Sequence, residues 1–156
     1  MDEELGIEER TIGIKRVAKT VKGGRRLRLS ACCAAGDKKG EVGVGFGKAQ
    51  EMLEAIRKAT ERAKKNMITV KLKGDTIPHR ITGKCGGAKI LIMPASPGTG
   101  IIACEPVRAI LELTGIKDVL TKSLGSNNLG NVAKATINAL SKLRTREEVM
   151  KLRGIW

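Results

Sequence analysis

With 156 residues, 41% of them hydrophobic, the chain is long enough for one large or two small domains and too apolar to be disordered. Its 30 Lys and Arg against 16 Asp and Glu give a formal net charge of +14, which ranks a polyanionic partner ahead of a membrane surface or an acidic protein. Aromatic residues make up 1% (Phe46 and Trp156, with no Tyr), which excludes recognition built mainly on bases stacked against aromatic platforms.

Residues 1–9, with Asp2, Glu3, Glu4, Glu8 and Glu9, read as an acidic flexible tail. A start of this kind is unlike the basic, acid-poor leaders that are cleaved on export or import, and no stretch reaches the apolar length of a membrane span. From Thr11 to Val21 the pattern is extended, with Ile12 and Ile14 on one face and Lys15, Arg16 and Lys19 interleaved. Lys22-Gly23-Gly24-Arg25 reads as a hairpin turn, because paired glycines accept the positive φ of tight turns. A half-buried strand follows, with Leu27, Leu29, Ala31, Cys33 and Ala35 on one face and Arg26, Arg28 and Ser30 on the other. After a turn at 36–40, Val42, Val44 and Phe46 alternate with Gly43, Gly45 and Gly47. Met52, Ala55, Ile56, Ala59 and Ala63 then recur at helical spacing, and Asn66 is a plausible stop.

Residues 67–80 are short, basic and extended, with a domain boundary placed there. The apolar run Ala88 to Met93 predicts a strand covered on both sides. A loop over 94–100, a short strand over 101–103, a helix from Glu105 to Leu113 with Pro106 in its first turn, and a strand from Val119 to Leu124 come next. Gly125-Ser-Asn-Asn128 supplies a turn and cap for a helix from Val132 to Leu143, and Glu147 to Leu152 suggests a last short helix.

Cys32, Cys33, Cys85 and Cys104 contain no Cys-x-x-Cys pair, and the single His79 lies near none of them, so neither a zinc site nor any cofactor is expected. Adjacent Cys32 and Cys33 would point to opposite faces of a strand; the expectation is small buried thiols in a reducing compartment. Gly40 to Ala49 lacks the spacing of a nucleotide-binding phosphate loop and the hydroxyl that would hold magnesium. Its glycines instead alternate with apolar residues and invite another backbone to approach closely. Ser96 to Gly100 is either a small nest of amides able to hold a phosphate or a plain turn between strands. His79 has no nucleophile or carboxylate beside it, paired acids are lacking, and no catalytic constellation emerges.

The basic clusters carry the signal. Lys15, Arg16, Lys19, Lys22, Arg25, Arg26 and Arg28 surround a glycine turn with no acid between Arg10 and Gly36, and Arg62, Lys64, Lys65, Lys71 and Lys73 form a second group at and beyond the end of the first helix. A charge run is usually a solvated face; an excess of this size with so little compensating acid points to phosphates, read by backbone and shape.

Lys15-Arg-Val-Ala-Lys-Thr-Val-Lys-Gly-Gly-Arg25 and Gly43-Val-Gly-Phe-Gly-Lys-Ala49, followed in order by Pro94-Ala-Ser-Pro-Gly-Thr-Gly-Ile-Ile-Ala103 and Gly125-Ser-Asn-Asn128 with Ala135-Thr136, closely resemble the bacterial and plastid family of small-subunit ribosomal protein five. The resemblance implies an α+β fold of two domains. Residues 10–75 would form a three-stranded antiparallel sheet plus helix similar to double-stranded-RNA-binding domains, and residues 76–156 an α/β sandwich with an unusual crossover. It implies a structural, non-enzymatic component of the small subunit that contributes to assembly, decoding accuracy and the region where messenger RNA enters. It further implies contacts with small-subunit ribosomal RNA, with ribosomal proteins four and eight and with messenger RNA, in the ribosome of a bacterial cytoplasm or an organelle. No membrane or small-molecule substrate is implied.

The RNA-binding residues expected are Lys15, Arg16, Lys19, Lys22, Gly23, Gly24, Arg25, Arg26, Arg28, Lys48, Arg62, Lys64 and Lys65. By resemblance, Val17, Ala18 and Lys19 lie near the spectinomycin site, and Cys104, Glu105 and Arg108 face protein four. The family usually carries two glycines where this chain has Cys104-Glu105, Pro106 is also unusual, and Cys32-Cys33 replaces bulkier β-branched residues. A carboxy-terminal extension of the family is expected to be missing after Arg153-Gly154. Two rivals stand beside this reading. A free-standing regulator would bind isolated duplexes unaided, and a small-molecule phosphotransferase would need the magnesium ligand and phosphate loop not found above.

Overall fold

A computed structural model describes residues 6–155 and shows two α+β domains that share one large core, with a second, smaller cluster in the first domain. The first three strands are β1 (Glu8–Val21), β2 (Gly24–Gly36) and β3 (Glu41–Ala49), antiparallel and consecutive, with the two-residue β4 (Ile68–Thr69) added beside β3. β1 and β2 are joined at Lys22-Gly23, where Gly23 takes φ +96°, so the turn falls where the glycine pair predicts. The expected acidic tail is shorter at its inner end: Glu8 and Glu9 already pair with Gly36 and Ala35, and their carboxylates meet Lys38 at 2.7 Å and Lys64 at 2.7 Å. The rest of that tail, residues 1–5, lies outside the described residues.

Two sequence expectations about this hairpin fail for physical reasons. The register slips between Thr11 and Gly13, a bulge that turns Ile12 into the main core while Ile14, expected on the same face, emerges 37% exposed on the other. β2 is half-buried along its length rather than across its faces: Gly24 to Arg28 are exposed on both sides, and Ala31 to Gly36 are buried on both. The outer half runs beyond the body, where long cationic side chains stay hydrated, and the inner half is small enough to be covered twice.

One cover is α1 (Met52–Lys65). It lies on the face of the sheet that carries Gly43, Gly45 and Gly47, and a Cβ built on each glycine would strike the helix backbone, at the carbonyl oxygens of Ala63, Ala59 and Ala55 respectively. Those three alanines are fully buried, so a row of glycines meets a row of alanines and the helix backbone lies directly against the strands. The close approach read from the alternating glycines is thus made by α1.

The other cover comes from the second domain. Its sheet has the order β5-β6-β8-β7: β5 (Ile81–Cys85) and β6 (Ala88–Pro94) form a hairpin about Gly86-Gly87, β8 (Val119–Ser123) runs antiparallel to β6, and β7 (Ile101–Ile102) runs parallel to β8. α2 (Glu105–Thr114) makes the crossover between β7 and β8, and α3 (Leu129–Ser141) follows, starting three residues before its apolar pattern because the Asn128 side chain accepts from the Gly130 and Asn131 amides. β5 is absent from the sequence reading: Thr82, Gly83 and Lys84 give it little apolar signal, although the Gly-Gly after it is a hairpin mark. Gly83 repeats the seam of the first domain, with the Ala135 carbonyl of α3 where its Cβ would be. β6 is covered on one face only. Ala88, Ile90 and Ile92 are buried, while Lys89, Leu91 and Met93 alternate with them and stay half-exposed. The run is apolar on both faces, and among the described residues only one is closed by helices.

The layers therefore run α1, first sheet, α2 with α3, second sheet. Ile12, Cys32, Ala34 and Val42 of the first sheet share a core with Val107, Ile110 and Leu113 of α2, Val132 and Leu140 of α3, and Ile90 and Ile92 of β6. The turn after β2 is tied to the end of α2, Lys38 N–H donating to the Leu113 carbonyl at 2.9 Å and Gly40 N–H to the Thr114 carbonyl at 3.0 Å. The segment between the domains is ordered as well, with Ile77 fully buried and both ring nitrogens of His79 bonded to backbone, Nδ1 to the Arg80 carbonyl and Nε2 to the Arg144 amide. The last helix, α4 (Arg146–Leu152), is held by a capping box between Thr145 and Glu148 and by Lys71, whose hydrogen bond keeps the Glu148 carboxyl below the usual carboxylate range.

Cys32 and Cys33 point to opposite faces, one into the shared core and the other toward α1, where its Sγ lies 3.7 Å from the Thr11 hydroxyl. Burial, reinforced by Cys33 and opposed by Lys134, pushes the Cys32 thiol up to about 12, which leaves it protonated and unreactive at neutral pH.

Candidate nucleic-acid interface

Because opposed residues on paired strands share a face, the β1–β2 register sorts the hairpin cations into two groups. Lys15, Lys19, Arg26 and Arg28 stand on the face turned toward α2 and α3; Ser30 is flanked by Lys15 on one side and Lys48 of β3 on the other, which extends the cationic face onto the body. Lys19, Arg26, Arg28 and Lys48 line, with Val17, Ala18 and Val21, a cleft of about 280 Å³. Arg16 and Arg25 stand on the opposite face, and Lys22 caps the tip beside Gly23 and Gly24, whose missing side chains leave the backbone open. From Lys15 to Lys22 the arm reaches about 24 Å at the usual rise of a strand.

Pairing separates these cations from seven others in the chain. Arg10, Lys38, Arg57, Lys58, Lys64, Lys71 and Lys117 each meet a carboxylate: Arg10 with Glu112, Arg57 with Glu61 at 3.1 Å, Lys117 with Asp75 at 3.2 Å. Among the described residues none of the seven hairpin cations, nor Lys48 or Lys65, has an ion pair. Like charges concentrated on a thin two-stranded arm repel one another, and that cost is relieved by a polyanion.

The second basic cluster is less uniform. Arg62 donates to the Phe46 carbonyl at 2.6 Å and Lys64 is paired with Glu9, so both brace the sheet against α1, whereas Lys65 is exposed. The register also brings together cations that sequence reading missed. Lys84 opposes Lys89, and Lys122 opposes Leu91, on the open face of the second sheet; the signal for that grouping is strand pairing, which spacing along the chain does not carry. Lys134 was missed too, and its ammonium sits 5.0 Å from the centre of the Phe46 ring.

The loop at 96–100 is a nest, and its occupant is internal. The carboxylate of Asp118, only 8% exposed, accepts from the Gly98 amide at 3.1 Å and from the Gly100 amide at 3.0 Å. A side chain thus takes the place a phosphate would have. Asp118→Ala is expected to cost about 2–4 kcal/mol, the range for two charge-assisted hydrogen bonds in a largely desolvated setting, with part of the loss restored by sulfate. Urea unfolding with and without sulfate measures this, and an unchanged midpoint would count against it.

Cys104, Glu105 and Arg108 sit at the start of α2. Cys104 is the exposed N-cap residue, Glu105 opens the first turn, and Arg108 donates back to the Ile101 carbonyl at 3.3 Å. Glu105 and Arg108 border an open cleft of about 510 Å³ shared with Arg10, Thr11 and Ile12 of β1. No group of three or more His, Cys, Asp or Glu able to hold a metal ion occurs among the described residues.

A protruding, acid-free basic arm on a doubly clamped sheet, joined to a second α/β layer, defines a protein built to contact a polyanion over a surface. The comparison with protein families gives that class a more particular form. A family model for the N-terminal domain of ribosomal protein S5 matches residues 7–71, and one for its C-terminal domain matches residues 83–153. The chain belongs to the ribosomal protein S5 family, and is thereby an RNA-binding structural protein of the small ribosomal subunit that serves in translation. Its partners as a class are ribosomal RNA and ribosomal proteins, and its place is the ribosome.

Proposed function

We propose that the β1–β2 arm is the main RNA-contacting element of this chain. Lys15, Lys19, Arg26, Arg28 and Lys48 would neutralise phosphates along one face, with Lys22 and Arg25 near the tip and Gly23 and Gly24 offering close backbone approach. Lys65 would extend the contact, while Arg16 serves the opposite face; Arg62 and Lys64 would act chiefly by holding α1 in place. The observation that carries this reading is the concentration of seven cations on one narrow, acid-free arm, none of them with a carboxylate partner among the described residues. Neutralising phosphates where RNA helices converge lowers the cost of packing them, which is how a protein without catalytic machinery aids assembly.

The family resemblance supports finer placements. Cys104, Glu105 and Arg108 would face ribosomal protein four, ribosomal protein eight would be a second neighbour, and the arm at Val17, Ala18 and Lys19 would lie near the spectinomycin site and the path by which messenger RNA enters. Decoding accuracy would depend on the first of these contacts. The compartment proposed is a bacterial cytoplasm, and the chain division proposed is at residues 75 and 76.

Sedimentation of the tagged protein from lysate through a sucrose gradient, at low and at high magnesium, tests the whole. Comigration with small subunits in both conditions is expected. A signal confined to the top fractions would instead favour a free RNA-binding regulator.

A further inference from the structure

The α1-side face of the arm carries a feature that phosphate binding leaves unused. Its rows, from the tip inward, are Thr20 with Arg25, Ala18 with Leu27, and Arg16 with Leu29. Leu29 is partly covered by the cluster under α1, with Ile56 packed against the same cluster, but Leu27 projects beyond the helix and is 67% exposed. It is the largest apolar side chain between Lys15 and Arg28, it stands against Ala18, and arginines of the adjoining rows bracket it. No acid lies on the arm, so a protein partner would have to bring carboxylates to both arginines, whereas RNA brings phosphates on either side of every nucleotide.

We propose that Leu27 packs against the base or sugar of a nucleotide that ribosomal RNA presents unpaired, with Arg16 and Arg25 holding the flanking phosphates. This rests on the reading of the arm as the RNA-contacting element and divides its faces. The face with Lys15, Lys19, Arg26 and Arg28 binds backbone alone, and the Leu27 face selects a place where the RNA is unstacked. Phosphate contacts fix position without selecting a site, and aliphatic wedges are a known means of selecting deformed steps. On an arm with no aromatic residue, Leu27 is the side chain placed to do it.

The full chain is titrated into a small-subunit ribosomal RNA transcript across a salt series, comparing wild type with Leu27→Ala, Leu27→Met and Arg26→Ala. Leu27→Ala is expected to weaken binding about tenfold with the slope of log affinity against log salt unchanged, and Leu27→Met to bind within about twofold of wild type. Arg26→Ala is expected to lower that slope by about one. Wild-type affinity in Leu27→Ala, or a slope change equal to that of Arg26→Ala, would overturn the proposal. A diazirine analogue of leucine at position 27, photoactivated in assembled small subunits, gives an independent readout that does not depend on a truncated side chain. Adducts on RNA are expected, and adducts on a ribosomal protein would overturn it. Failure of the underlying reading looks different: the wild-type chain itself would show no salt-dependent binding to the transcript.

Discussion

Replacing Gly45 with valine is expected to destabilise the chain by more than about 3 kcal/mol, which for a protein of this size lowers the melting temperature by at least about 6 °C. The argument is steric. The added Cβ would fall on the Ala59 carbonyl and the Ala63 amide of α1, which are backbone atoms with no rotamer to change. Relief requires the whole helix to lift from the sheet, and lifting it uncovers Ala31 and Cys33 as well as Ala55 and Ala59. Gly45→Ala meets the same backbone and is expected to be damaging too, whereas Gly87→Ala, whose Cβ would sit 3.4 Å from the Ser126 side chain, is expected to change stability by less than about 1 kcal/mol. Thermal unfolding of the full chain and its incorporation into small subunits measure both effects. A melting temperature for Gly45→Val equal to that of wild type would remove the seam as a determinant of the fold.

Replacing Lys22 and Arg25 together with alanine should weaken binding to ribosomal RNA between about tenfold and a hundredfold at moderate salt, and reduce the salt slope by about two. Both residues lie at the tip of the arm, exposed and without an ion pair among the described residues, so their loss leaves the folded chain intact. Arg57→Ala is the matching control, because Arg57 is already engaged with Glu61 on the surface of α1 and is expected to leave the slope unaltered. An unchanged slope in the double variant would strike Lys22 and Arg25 from the RNA contacts.

What could be read directly from the residues was whatever depends on neighbours in the chain. The turn at Lys22-Gly23, the glycine alternation of β3, the helical spacing of α1 and the first-turn proline of α2 are local signals, and each falls close to where it points. The failures share a cause as well. The bulge at Ile12 reverses the face of Ile14, and no residue near it announces the slip; only pairing with Thr11, Gly13 and their partners on β2 reveals it. β5 has too few apolar residues to be seen alone and exists because β6 and α3 complete it. For the interface, the charge cluster was plain, yet its division into two faces required the register. That Arg62 bonds to the Phe46 carbonyl and Lys64 to Glu9, and that Asp118 occupies the 96–100 nest, are contacts between different elements of the chain.

The shared core also sets an order of events during synthesis. Residues 6–71 leave the ribosome that makes them with Ile12, Cys32, Ala34 and Val42 uncovered, because the side chains that close over that face begin at Val107 and end near Leu140. At ordinary elongation rates the delay is on the order of 4–14 seconds, during which a sheet edge and an apolar face are open to other nascent chains. The residues of the basic arm, 15–28, are all made at the outset, and none of them is buried in the folded chain. RNA already assembling nearby can therefore meet the arm before the body behind it has closed.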